Sequence, residues 1–317
     1  MRTTYQQGIR IFVSFDLVGS SALKLRMTGG VTTRDDRPHW LKPLLEFFRE
    51  VPPLLQQRLS ELFDRHHPDI LPTSVEIWRV TGDEILFVSG RLEKSAQIMV
   101  LARAFNSVLL QMDLKFMSQH RLGVKSTMWA AGFPIRNVEI DVSPRAPPHI
   151  RISTPNFTDV APRPADDDGS RLIREYQGPE IDLGFRLAAL AHPRRMTASL
   201  EVAYFLAMNS LQFPDLKPTF HHVGWSRLKG VYGEVPYPIL WLDYGERREK
   251  RTSYEEELSP FCRRFLNGEA RRELGDIVDL EREYLRDTAA SRIHPYIDTD
   301  DKFDLVHAEI YKRFEKG

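Results

Sequence analysis

Residues Ile11 to Ser21 read IFVSFDLVGSS. Five of the first seven are apolar, and β-branched and aromatic side chains dominate, so the stretch reads as a buried strand. Asp16 interrupts it, and Gly19-Ser20-Ser21 follows at once. A carboxylate at the end of a buried strand is costly unless its charge is compensated. A metal ion compensates it, and the backbone N–H groups of a small-residue loop beside it can hold phosphates. A second acid has the same setting in WRVTGDEILF, Trp78 to Phe87, where one strand runs up to Thr81-Gly82-Asp83 and another begins just after. Either aspartate alone is ordinarily a turn residue or a helix cap. As a pair at the ends of neighbouring strands, they can hold two divalent ions around a triphosphate, the arrangement of two-metal phosphoryl chemistry.

Two later stretches join these: GPEIDLGFRLA, Gly178 to Ala188, and VGWSRLKG, Val223 to Gly230. Taken in order, FDLVGSS and RVTGDEILF resemble the metal-binding pair of the class III nucleotidyl cyclases. GPEIDLGFRLA resembles that family's segment of Gly, Asn, Arg and Leu, and VGWSRLKG its late Gly…Leu-Lys-Gly hairpin. The likeness runs from about Ile11 to Tyr244. Within the family, the short N-terminus, the divergent base-contacting positions and the helical tail look most like the pyrimidine cyclases of the Pycsar antiphage system.

The resemblance implies an α/β (α+β) fold, a mostly antiparallel sheet flanked by helices. It implies Asp16 and Asp83 as metal ligands with the backbone carbonyl of Leu17, and Mn²⁺ or Mg²⁺ as cofactor, two ions per site. Gly19 and Ser20 would meet the nucleotide's phosphates. Arg186 matches the transition-state arginine, since a guanidinium presents fixed donors to phosphoryl oxygens. The ribose-orienting position, normally Asn, is Asp182 here. A carboxylate accepts hydrogen bonds but cannot donate them, so either Asp182 binds a ribose hydroxyl or the site is organised differently there. Lys229 matches the phosphate-side lysine. The base-reading positions fall on Arg79 and Glu175, which keep the charge pattern of adenylyl cyclases with longer side chains. In the family, the metal aspartates and the Asn/Arg segment of one site come from different subunits, so a homodimer with composite sites is implied. The expected reaction is conversion of UTP to 3′,5′-cyclic UMP and pyrophosphate, a second messenger in antiphage defence. The alternatives are a cytidylate cyclase making cyclic CMP, or a cyclase-like scaffold that binds nucleotide without turning it over.

Composition agrees with a soluble globular chain. The 317 residues suffice for a large core, with 42% hydrophobic and 28% charged residues. Lys plus Arg and Asp plus Glu both total 44, so no overall charge steers the protein to nucleic acid or anionic lipid. That neutrality also argues against a palm-type polymerase or primase, the other users of strand-borne aspartates. Cys262 is the only cysteine, which excludes an internal disulfide or a thiolate zinc cluster. The first residues lack a signal-peptide core and no run reaches membrane-spanning length, so the expectation is a cytoplasmic protein without membrane or nucleic-acid partners.

Periodicity places the remaining elements. Ala22 to Met27 starts a helix. Trp40 to Phe63 is helical in spacing, and Pro52-Pro53 predicts a bend or a break. Val75 to Val80 and Glu84 to Ser89 read as a hairpin, Ser95 to Met117 as the best helix, and Leu122 to Phe133 as a strand. From Pro134 to Ser170, seven prolines and the acidic run Asp166-Asp167-Asp168 predict a long, mostly irregular insertion. Glu180 to Ala191 reads as a helix and Val223 to Tyr244 as a closing hairpin. The catalytic domain is thus expected over residues 1–245. Residues 246–317, dense in charge with Phe261, Phe265, Leu274, Ile277, Leu280 and Leu285 at helical spacing, form an expected helical extension. Its apolar faces need a partner, either the domain or a second copy.

Overall fold

The computed structural model describes residues 8–27, 38–134, 136–142, 149–151, 173–244, 271–272 and 274–288. The opening stretch forms the strand β1 (Gly8–Val18). Ile11, Val13, Phe15 and Leu17 enter one hydrophobic cluster and Phe12 another, the alternation that a strand buried on both faces produces. The chain continues through α1 (Ser20–Met27), α2 (Leu41–Ser60), β2 (Val75–Thr81), β3 (Glu84–Ser89), α3 (Ala96–His120) and β4 (Gly123–Phe133). Then come β5 (Val138–Val142), β6 (His149–Arg151), β7 (Ile173–Gln177), α4 (Pro179–Ala188), β8 (Met196–Ala198) and α5 (Leu200–Asn209). The described chain closes with β9 (Thr219–Arg227), β10 (Pro236–Asp243), β11 (Arg271–Arg272) and α6 (Leu274–Thr288).

Eight strands form one sheet in the order β11-β9-β10-β8-β4-β1-β3-β2, antiparallel except where β4 meets β8. The fold is α+β, a mostly antiparallel sheet with helices on its faces. The larger cluster joins the Ile11 face of β1 to α2, α3 and α5. On the other face, Phe12, Trp129 and Trp78 pack with Tyr176 of β7 and with Ile181 and Phe185 of α4.

Three expectations meet the structure in part. Helix α2 runs through Pro52 and Pro53 without a break. Its stripe of Leu44, Phe47, Val51, Leu55 and Leu59 stays buried along its whole length, and that packing outweighs the missing N–H groups. Most of residues 134–170 lie outside the described residues; within the described part, β5 and β6 join β7 in a second sheet, ordered β6-β5-β7. Its pattern hid because β5 turns charge inward. Glu139 and Asp141 are buried; Glu139 meets Arg10 at 2.7 Å and Arg91 at 3.7 Å, and Asp141 meets Arg174 at 3.9 Å. Asp166-Asp167-Asp168 lies outside the described residues. So do Phe261 and Phe265, and residues 271–272 of the extension are strand, added to the edge at β9. α6 buries Ile277 and Tyr284, with the Tyr284 ring 5.3 Å from that of Tyr237, so its described part packs on this chain's own domain.

Candidate active site

Asp16 and Asp83 meet at the end of the sheet. β1 and β3 pair antiparallel, and the Leu17 N–H donates to the Asp83 carbonyl at 3.4 Å. Gly19 adopts φ 95°, a left-handed conformation suited to glycine, and lets the chain turn from β1 into α1. Ser20, the first residue of α1, is buried and its hydroxyl donates to Asp83 Oδ2. That hydroxyl is therefore committed to Asp83.

Two side chains the sequence reading missed complete this corner. Glu84 stands directly opposite Asp16 in the β1–β3 ladder, and Lys125 directly opposite it in the β1–β4 ladder. Lys125 Nζ lies 3.1 Å from Asp16 Oδ2 and donates to the Ala188 carbonyl at 3.2 Å. One cation thus ties the aspartate to the C-terminal end of α4, where the helix dipole favours positive charge. A lysine amid the apolar strand GVKSTMWAAGF was the available signal, but only strand register reveals its partner.

Burial pushes the Asp16 carboxyl above its ordinary range; Lys125 opposes the shift and Asp83 adds to it. Glu84 is likewise pushed up by burial and then by Asp16, while the Ser14 hydroxyl pulls it down. Asp16, Asp83 and Glu84 thus set three carboxylates near one ammonium, an excess of negative charge at this corner. Among the described residues no group of three His, Cys, Asp or Glu side chains converges as a complete metal cage. Asp16, Asp83 and the Leu17 carbonyl bring oxygen donors to this corner, the type of ligand that a hard divalent ion takes.

A second set gathers around α4. Pro179 begins the helix, its fixed φ suiting the first position, after Gly178 at φ 144°. Gly184 lies against the indole of Trp129, leaving no room for a side chain. Asp182 and Arg186 are exposed on the outer side. Arg186 Nε donates to the Lys229 carbonyl at 3.1 Å, so the helix and the Leu228-Lys229-Gly230 turn come together.

The third set is the pair Arg79 and Glu175. Arg79 of β2 is ion-paired with Glu175 of β7, so the two sheets bring the pair face to face. The Arg79 guanidinium stacks 4.1 Å over Trp78 and lies 5.9 Å from the Phe185 ring. Both partners stay about a third exposed, at 36% and 29%, so a ligand can reach them. Among the described residues no hydrogen bond or ion pair joins Asp182 or Arg186 to Asp16 or Asp83.

No protein-family model matches the chain, and no curated protein does. Solved structures do resemble it. The adenylyl cyclase CyaB from P. aeruginosa is 10% identical with a TM-score of 0.48, covering 78% of this chain and 98% of that one. The guanylate cyclase domain of RhGC from Catenaria anguillulae, in complex with GTP, is 10% identical with a TM-score of 0.46, covering 75% and 97%. An adenylate/guanylate cyclase/hydrolase from Silicibacter pomeroyi is 13% identical with a TM-score of 0.39, covering 74% and 96%. With likenesses this distant, the chemistry of the site is read from its own residues. No described helix is long and apolar enough to cross a membrane.

Proposed function

We propose that the protein is a class III-type nucleotidyl cyclase. The carrying observation is the corner in which Asp16 and Asp83 end neighbouring strands, bridged by Leu17 and capped by Ser20. In the reaction the ribose 3′-oxygen bonds to the α-phosphorus, the bond to the β-phosphate oxygen breaks, and pyrophosphate leaves. The 3′-hydroxyl proton passes to solvent. Asp16, Asp83 and the Leu17 carbonyl would hold a divalent ion, Mn²⁺ or Mg²⁺, which would supply charge neutralisation and a lowered pKa at the attacking hydroxyl. The chain's own groups do the rest: loop N–H groups around Gly19 and Ser20 take phosphate oxygens, Arg186 meets the charge that develops at phosphorus, and Lys229 meets the leaving phosphates. Asp182 accepts from a ribose hydroxyl.

The active form is a homodimer. Arg186 and Lys229 form one set and Asp16 and Asp83 another, which is what a site shared between two copies requires. UTP is the favoured substrate. Arg79 donates to a uracil carbonyl while Glu175 accepts from N3–H, and Trp78 and Phe185 give the arginine an aromatic seat. Cyclic UMP would then serve as an antiphage signal. Incubating the protein with the four triphosphates and Mn²⁺, then chromatographing the products, tests the cyclisation and the choice of base. Cyclic UMP in excess is the expected result. Cyclic CMP instead would mean that the base is read in a shifted pose, and no product from any triphosphate would leave a nucleotide-binding scaffold.

A further inference from the structure

The first turn of α4 holds a carboxylate that the proposed chemistry does not use. Glu180 is completely buried, 0% exposed, in a helix whose Asp182 and Arg186 face solvent. Arg136 forms an ion pair with it and the Asn137 side-chain amide donates to it, both from the turn that leaves β4. Asn137 is itself anchored, since its backbone N–H and its side-chain amide reach the Gly132 carbonyl at 3.2 and 2.9 Å. Gly178 closes the joint. A Cβ placed there would lie 2.8 Å from Asn137 Cα, so the start of the helix sits flush on the turn.

We propose that Glu180 is a positioning residue: through Arg136 and Asn137 it locks the first turn of α4 to the end of β4, and so sets where Asp182 and Arg186 stand. What Asp182 and Arg186 then do rests on the cyclase reading; the lock itself does not. An apolar side chain would fill the same space without the desolvation cost of a carboxylate, so the acid marks a joint made by hydrogen bonds.

The charged and titratable groups facing Glu180 are Arg136, Glu201 of α5 and Tyr232 in the turn between β9 and β10. Glu201 in turn accepts from the Tyr232 and Tyr237 hydroxyls at 3.4 and 3.5 Å. Burial pushes the Glu180 carboxyl up to about 7, with Arg136 and Asn137 opposing and Glu201 adding to the shift. The native value lies above the ordinary 4.5, so the seated helix holds a proton that the opened helix gives up. Its contribution is complete below the ordinary value and is lost as pH rises through about 7. The lock is tighter at pH 6 than at pH 8.

Hydrogen exchange of the full chain, corrected for intrinsic rates, reads this at the α4 amides. Wild-type protection should fall roughly tenfold between pH 6 and pH 8, the factor that a shift from 4.5 to about 7 implies. Glu180→Gln, neutral at every pH and nearly isosteric, should lose that dependence. Arg136→Ala, which removes the opposing positive charge, should move the inflection to higher pH. The same α4 dependence in wild type and Glu180→Gln, or an inflection unmoved by Arg136→Ala, overturns the proposal. Where the wild type makes cyclic nucleotide, its turnover should show the same step and Glu180→Gln should lack it. A wild type that turns over no triphosphate refutes the cyclase reading, while the exchange measurement still decides on Glu180.

Discussion

Gly184→Ala tests how α4 is seated. A methyl group built at Gly184 falls 2.5 Å from Trp129 Nε1 and closer still to two ring carbons. Neither side can easily yield. Trp129 is fully buried, stacked on Phe12 at 5.5 Å and packed on Phe185 at 6.0 Å. Reaching an ordinary contact of about 3.5 Å requires the helix to lift by roughly an ångström. Overpacking of this kind costs about 1–3 kcal/mol, set against about 1 kcal/mol gained when alanine replaces glycine inside a helix. The net loss of up to about 2 kcal/mol lowers the melting midpoint by up to a few degrees, on the order of 2–4 °C per kcal/mol for domains of 150–250 residues. The lift also pulls Arg186 from the Lys229 carbonyl, now 3.1 Å away, so turnover should fall further than stability. Thermal unfolding followed by circular dichroism, with turnover on the same samples, reads both effects. Combining the change with Trp129→Leu, which vacates the contact, should show a favourable coupling of about 1 kcal/mol or more. A midpoint at or above wild type with no coupling to Trp129 would refute the seating.

Asp16→Ala and Asp83→Ala should each remove turnover with Mn²⁺ while the circular dichroism spectrum is retained; a variant with wild-type turnover sinks the metal corner. Coexpressed Asp83→Ala and Arg186→Ala chains should recover activity in the heterodimer, because each heterodimer contains one intact composite site. No recovery in a verified heterodimer would place the whole site in one chain. In competition at equal concentration, UTP should outrun CTP, and Glu175→Gln should narrow that lead by roughly tenfold, since a neutral amide donates as well as accepts. An unchanged ratio would remove Glu175 from base reading.

What could be read from the sequence, and what could not, divides along a physical line. The strand through Asp16, the hairpin at Asp83 and helix α3 were legible because their apolar residues repeat at the period of the element. Asp182 and Arg186, like Arg79 with Glu175, were legible only through the family likeness. Hidden were features in which charge faces inward. β5 buries Glu139 and Asp141 against arginines from three other segments, so its pattern reads as polar and irregular. Lys125 and Glu180 are the same phenomenon beside the site. Each is a charged residue whose compensation comes from an element distant in sequence: Asp16 lies 109 positions before Lys125, and Asn137 lies 43 before Glu180. Local pattern assigns such residues to solvent, because an isolated buried charge is prohibitively costly. Only the register of β1 on β4, and the turn from β4 back under α4, supply the partners that make burial tolerable. Those partners connect the Asp16–Asp83 corner to one end of α4 and anchor its other end. The helix carrying Asp182 and Arg186 is thus held at one end by the buried Glu180 and at the other by the half-buried Lys125, and its middle rests on Trp129 through a glycine.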